Sequence, residues 1–92
     1  MEERVKTELR EFIVSSYLFG DRTRQPDDDV SLIESGTVDS TGILELIEFL
    51  EEHYAIEVSE TETVPENLGS IANLTRFVVG KLNDSKTGIA AG

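Results

Sequence analysis

The chain contains no cysteine, no tryptophan and a single histidine among its 92 residues. Without cysteine the sequence has no disulfide, no thiolate nucleophile and no thiolate metal ligand, which is compatible with a reducing compartment. Any thiol on the working protein would therefore have to be added to it. No apolar run approaches the roughly 20 residues of a membrane span, and the acidic residues 1–4 lack a secretory signal's apolar core. We therefore expect a cytoplasmic protein without membrane insertion.

Positive charge is also scarce, and it is missing from the middle of the chain. The net charge is −11, and neither Lys nor Arg occurs between Arg24 and Arg76. Such a field repels nucleic acid and anionic membranes, and it steers basic proteins towards the chain. We expect a monomer with no nucleic-acid partner, whose partner enzymes carry basic docking patches. The plainer interpretation is that the charge only keeps a small protein soluble.

The spacing of apolar residues predicts helices throughout. Apolar positions recur at steps of three and four over residues 2–17, about 40–53 and about 71–83. Between them, residues 63–69 predict a single helical turn, because Pro65 suits a first-turn position. The sequence therefore predicts an all-α fold, a small bundle of three longer helices and one short third helix.

The segments outside the helices are a long first loop and a short tail. Residues 19–38 lack periodicity, and a loop of this length needs an anchor, which we expect Val30, Leu32 and Ile33 to provide. Gly36 is expected to adopt a positive φ. We interpret residues 27–29, three aspartates, as solvated, because they lack the spacing of a calcium-binding loop. The domain then spans 1–83, and 84–92 form a flexible C-terminal tail.

The most informative position is Ser40, at the predicted start of the second helix. Asp39 and Ser40 are residue types that accept hydrogen bonds from the first turn of a helix. A helix N-terminus also favours a phosphate, so an exposed hydroxyl there is a good attachment point for a phosphodiester. A plain capping serine explains the residue equally well locally, and Gly42 nearby either weakens the helix or leaves room for a tether or partner. His53 lies roughly 20 Å along the same helix at about 1.5 Å per residue, so no catalytic pairing with Ser40 is expected.

At these residues the sequence resembles the acyl carrier protein family. The family's mark is Asp-Ser-Leu ahead of an acidic amphipathic helix; here Asp39, Ser40 and Thr41 precede such a helix, and residues 32–36 look like the family's approach loop. The pattern covers roughly residues 3–83, and it implies the same helical bundle.

The resemblance implies that Ser40 carries 4'-phosphopantetheine, installed by a phosphopantetheinyl transferase. The arm's thiol would hold an acyl or aminoacyl group as a thioester and deliver it to enzymes of fatty-acid, lipid or polyketide-type biosynthesis. Asp39 would cap the helix or help the transferase to hold Mg²⁺, and no metal site of the chain's own is expected. Partners would dock on an acidic face, which we assign to Thr41, Leu44, Glu45, Glu48, Glu51 and Glu52.

Several alternatives remain open at this point. Thr41 stands where the family usually has Leu or Met, which points away from ordinary fatty-acid partners towards a specialised carrier, and aminoacyl cargo stays possible. A competing class is an acidic helical interaction module without a prosthetic group. An enzyme is disfavoured, because the sequence offers no clustered acid and base residues.

Overall fold

The computed structural model describes residues 2–91, with side chains described for residues 2–83. Its helices are α1 (Glu2–Tyr17), α2 (Ser40–Tyr54), α3 (Pro65–Leu68) and α4 (Ile71–Ala91), with 3-10 turns at Arg22–Arg24 and Glu60–Glu62. No strand occurs within residues 2–91. The predicted all-α bundle, with three longer helices, a short third helix and a long first loop, is confirmed.

The fourth helix extends past its predicted end. Its backbone is helical to Ala91, whereas the sequence places the end near Asn83. Residues 84–91 contain no proline and only one glycine, Gly88, so nothing in this segment forces the helix to stop. The flexibility predicted for 84–92 stays a prediction, and residue 92 lies outside the described residues.

The core collects apolar side chains from all four helices and from the first loop. α1 packs mainly against α4, and α3 packs against α4 as well. On α2 the buried apolar positions are Leu46 and Leu50, with Ile43, Ile47 and Tyr54 partly buried beside them, as the spacing predicts. Other fully buried side chains are Leu9, Ile13, Leu32, Ile71, Leu74 and Val78.

The anchor of the first loop differs from the predicted one. Leu32 is fully buried, but Val30 and Ile33 are 39% and 47% exposed; the second anchor is Val38, 1% exposed. The backbone N–H of Leu32 donates to the carbonyl of Gly69 at 2.8 Å, and that of Val38 donates to Leu32 at 3.0 Å. A turn that ends at Gly36, with the predicted positive φ of 78°, brings Val38 back beside Leu32 and leaves the flanking side chains outside.

Asp28 fastens the same loop to two helices, so the interpretation of residues 27–29 as uniformly solvated is wrong. Its carboxylate lies 3.2 Å from Nζ of Lys6 and also binds the guanidinium of Arg10. Its carbonyl accepts from the N–H of Ala72 at 2.9 Å. The hydrogen bond from Arg10, reinforced by Lys6 and opposed by partial burial, holds the pKa of Asp28 below its usual value of 3.8.

The α1–α2 interface is formed by long side chains and runs antiparallel. Tyr17, at the end of α1, reaches Gly42 near the start of α2, and the rings of Phe12 and Phe49 stack at 4.0 Å between centroids. At the far end, His53 approaches Glu8. The end of α1 therefore meets the start of α2, which is where Ser40 lies. Within residues 2–91, no helix combines the length and apolarity needed to cross a bilayer.

We predict that Asp28→Asn lowers stability at neutral pH and flattens its decline in acid. Because the pKa of Asp28 is lower in the folded protein than in the unfolded chain, its contribution is complete above the unfolded value and disappears as pH falls through the folded value. Urea unfolding followed by circular dichroism, from pH 7 to about pH 2, measures this.

The matched control is Asp27→Asn, which removes a neighbouring carboxylate that forms no ion pair within residues 2–83. The free energy of unfolding of Asp27→Asn is expected to stay close to that of the wild type at every pH. If the difference in unfolding free energy between the wild type and Asp28→Asn stayed constant down to about pH 2, the prediction would be contradicted.

Candidate functional site

Ser40 is the first residue of α2, and its side chain is exposed. Asp39 is the N-cap: its backbone is extended, at φ −94° and ψ 179°, and its carboxylate accepts from the N–H of Gly42 at 2.6 Å. The Ser40 hydroxyl has no hydrogen-bond partner among the described side chains and backbone. The capping role therefore belongs to Asp39, and the hydroxyl of Ser40 is left facing solvent.

Gly42 is enclosed rather than open. Tyr17 donates its hydroxyl to the carbonyl of Gly42 at 2.8 Å. A Cβ atom at residue 42 would lie 3.0 Å from Cγ1 of Val38 and 3.1 Å from both Oδ1 of Asp39 and Cε1 of Tyr17. The expectation that a small residue here leaves room for a tether is wrong, because the Tyr17 ring and the Val38 side chain occupy that space.

The hydroxyl of Tyr17 remains a donor over the physiological pH range. Burial, reinforced by the nearby carboxylates of Glu45 and Asp39, raises its pKa from 10.0 to about 12. A protonated phenol can keep donating to the carbonyl of Gly42, whereas a phenolate cannot. Two side chains therefore fix the first turn of α2 at Gly42: Asp39 accepts from its N–H, and Tyr17 donates to its carbonyl.

A mostly apolar cavity of about 360 Å³ opens between the first loop, α2 and α3. Its apolar lining is contributed by Ile33, Ile43, Val64, Pro65 and Leu68. Ile43 follows Ser40 by three residues, so the two lie on neighbouring positions of one helix face. The cavity therefore begins within one helical turn of the Ser40 hydroxyl.

The predicted docking residues lie on the surface of α2 with one exception. Thr41, Leu44, Glu45, Glu48 and Glu52 are exposed, and Leu44 is 61% exposed despite being apolar. Glu51 is partly buried, and its carboxylate accepts from the backbone N–H of Val58 at 3.0 Å. Glu51 thus holds the chain that leaves α2, a contact the sequence pattern does not reveal.

The carboxylates of this face are not neutralised by the chain's own cations. Glu45, Glu48 and Glu52 form no ion pair within residues 2–83, while cationic side chains pair elsewhere: Lys6 and Arg10 with Asp28, Arg22 with Glu11, Arg4 with Glu8, and Lys81 with Glu62. Most of these pairs hold α1, the first loop or α4. Within residues 2–83, no ion pair therefore offsets the charge of the exposed glutamates on α2.

His53 lies at the opposite end of α2 and belongs to the α1–α2 interface. Its Nε2 is 3.3 Å from Oε1 of Glu8, the same oxygen that accepts from the Tyr54 hydroxyl at 2.9 Å, and its ring stacks on Phe49. Partial burial raises the pKa of Glu8, but the hydrogen bonds from Tyr54, His53 and Arg4 outweigh it and hold that pKa below 4.5. The structure does not bring His53 near Ser40.

Within the described residues, no group of three or more His, Asp and Glu side chains is arranged to hold a metal ion. Sequence reasoning missed the role of Tyr17 and did not identify the residues that line the cavity. Tyr17 follows Ile13 by four residues, so the spacing could have placed it on the buried face of α1. The cavity has no sequence signal, because it depends on how the first loop and α3 meet α2.

In comparisons with known proteins, the sequence matches no family model and no curated protein.

We predict that Gly42→Ala destabilises the protein by about 1–3 kcal/mol, since the added methyl group overpacks the contact with Tyr17 and Val38. The matched control is Gly80→Ala in the interior of α4. Gly80 is exposed, and a Cβ atom added there would meet no neighbouring side chain within 4 Å, so alanine at this position should stabilise by about 0.5–1 kcal/mol through helix propensity.

Urea unfolding of both variants measures the two effects in parallel. A Gly42→Ala protein as stable as the Gly80→Ala protein would show that the enclosure of Gly42 is unimportant.

Proposed function

We propose that this protein is a cytoplasmic acyl carrier protein whose Ser40 bears 4'-phosphopantetheine. In this role it is a substrate of other enzymes and is not itself an enzyme. The observation that carries the proposal is the hydroxyl of Ser40, which is exposed and has no hydrogen-bond partner among the described residues, at the capped start of an acidic helix. The resemblance of residues 39–52 to acyl carrier proteins supplies the chemical identity of the group.

The attachment step is a phosphoryl-group transfer carried out by a partner enzyme. The Ser40 oxygen attacks the β-phosphorus of coenzyme A, the phosphoanhydride bond breaks, and the nucleotide 3',5'-bisphosphate leaves while the serine proton passes to a base of the transferase. The new phosphodiester lies at the N-terminus of α2, where the helix dipole and free N–H groups favour negative charge. Asp39 contributes by capping the helix, and the resemblance adds a role in Mg²⁺ recognition by the transferase.

The cavity beside Ser40 supports an acyl cargo. A thioester at the end of a flexible arm can fold back towards the opening between Ile33 and Ile43, whose surroundings are apolar. An aliphatic chain entering it is removed from water, which is favourable in proportion to the apolar area buried. A charged aminoacyl group gains less there, because burial of an unpaired ammonium is unfavourable.

The exposed face of α2 supports delivery by transient docking. Leu44 offers an apolar contact close to Ser40, and Glu45 and Glu48 offer uncompensated charge beside it. Charge complementarity of this kind raises the rate of association more than the affinity. A carrier that must visit several enzymes in turn benefits from fast, weak binding.

The second candidate is an acidic interaction module without a prosthetic group. The same face favours it, because exposed carboxylates around Leu44 can bind a basic protein whether or not Ser40 is modified. The two candidates differ in one measurable property, the covalent modification of Ser40.

We predict that incubation with coenzyme A and a promiscuous phosphopantetheinyl transferase adds the mass of one phosphopantetheinyl group. The gain should be absent from Ser40→Ala, because that variant lacks the nucleophilic oxygen, and present in Ser35→Ala, a control at another exposed serine. Intact-mass spectrometry reads both results. An unchanged mass for the wild type would favour the interaction module.

We predict that the double reversal Glu45→Lys and Glu48→Lys slows this modification by about 10-fold or more at low salt, because electrostatic steering is lost. The matched control reverses Glu57 and Glu60, exposed residues beyond the far end of α2, and changes the net charge equally. Initial rates are followed by mass spectrometry at increasing ionic strength, and circular dichroism confirms that both proteins stay helical. Equal rates for the two double variants would remove the docking role from this face.

A further inference from the structure

Phe19 is the most exposed large apolar side chain of the described residues, at 92% exposure. It follows Leu18, which is buried at 5% exposure, and precedes Gly20, so it lies where α1 ends and the first loop begins. An aromatic ring directed fully into water contributes nothing to the core.

The backbone of Phe19 is also strained. Its φ of 54° lies in the left-handed region, which L-residues other than Gly, Asn and Asp adopt at a cost in free energy. Ala55 is the other residue of this kind in the described chain, but it is small and ends α2. At Phe19 this conformation ends α1, because it lets the backbone N–H of Gly20 donate to the carbonyl of Val14 at 2.9 Å. The helix end therefore explains the backbone of Phe19, but it does not explain why a ring of this size is left in water.

The position of Phe19 relates it to Ser40. Tyr17, two residues before Phe19, bonds the carbonyl of Gly42, which is two residues after Ser40. The end of α1 and the start of α2 therefore form one end of the bundle. An enzyme whose active site reaches the Ser40 hydroxyl therefore approaches the end of the bundle at which Phe19 lies.

The net charge of the chain limits which kind of molecule could bind over Phe19. A second copy carries the same net charge of −11, so self-association through this end meets repulsion, and an anionic membrane is repelled likewise. Arg22, close to Phe19 in the chain, is neutralised by Glu11, to which it donates at 2.8 Å. The net charge of the whole chain therefore favours a basic partner, and the exposed ring requires that this partner offer an apolar pocket.

We propose that Phe19 is an anchor for the enzyme that modifies Ser40, and that its ring enters an apolar pocket bordered by basic groups on that enzyme. The inference rests on the proposed function and extends it, because Phe19 lies outside α2 and its acidic face. Exposed aromatic residues that become buried in a partner's pocket are among the main sources of binding energy at protein interfaces.

The test compares Phe19→Asn and Phe19→Tyr as substrates of the phosphopantetheinyl transferase. Asparagine tolerates the left-handed backbone and removes the ring, and tyrosine keeps the ring as the matched control. For Phe19→Asn we expect the KM for the carrier to rise about 10-fold, equivalent to about 1.4 kcal/mol, with kcat unchanged. Phe19→Tyr should stay close to the wild type. The salt dependence of the rate should be the same for all three proteins, because no charge is altered.

Thermal unfolding separates docking from folding, since Phe19→Asn should be at least as stable as the wild type once the strain is relieved. An unchanged KM for Phe19→Asn, with the wild type modified normally, overturns the anchor and leaves the proposed function intact. Failure of the wild type to gain mass overturns the proposed function and the anchor with it. A wild-type dimer in sedimentation that Phe19→Asn dissociates would identify a second copy as the occupant and also overturn the proposal.

Discussion

The hydrogen bond from Tyr17 to the carbonyl of Gly42 fixes where the second helix stands relative to the first. It requires a residue without a side chain at 42, because the ring of Tyr17 and the side chain of Val38 fill the space around that Cα atom. Asp39 binds the N–H of the same residue and completes the first turn. With the backbone satisfied by these two side chains, the hydroxyl of Ser40 has no structural task to perform.

The helices and the start of the candidate site are predictable because both depend on local sequence. α1 and α2 agree with their predicted bounds to within a residue, since apolar residues at steps of three and four leave one consistent face to bury. The cap at Asp39 is predictable for a similar reason, because capping involves residues a few positions apart. The continuation of α4 is not, since a frayed tail and an unbroken helix have similar polar, proline-free sequences.

Contacts between distant parts of the chain could not be predicted from pattern. Asp28 is one of three consecutive aspartates, and only the approach of Lys6 and Arg10 distinguishes it from its neighbours. Leu32 is an anchor as predicted, but Val38 is its companion, because the turn at Gly36 decides which side chains face inward. In sequence, Glu51 cannot be told apart from the other glutamates of α2. It differs from them only because the chain turns back after the helix and the N–H of Val58 donates to its carboxylate.

The distribution of ion pairs has a consequence for the lifetime of the complex between this protein and a partner of the kind proposed above. Lys6, Arg10, Arg22 and Lys81 are paired with carboxylates other than the exposed glutamates of α2. If a basic partner docks on this face as proposed, its arginine or lysine would displace only water and counterions, and no ion pair of the exposed Glu45, Glu48 or Glu52 would have to open first. Under the proposed function, exchange of such partners would then be limited by diffusion and dehydration rather than by rearrangement of the bundle.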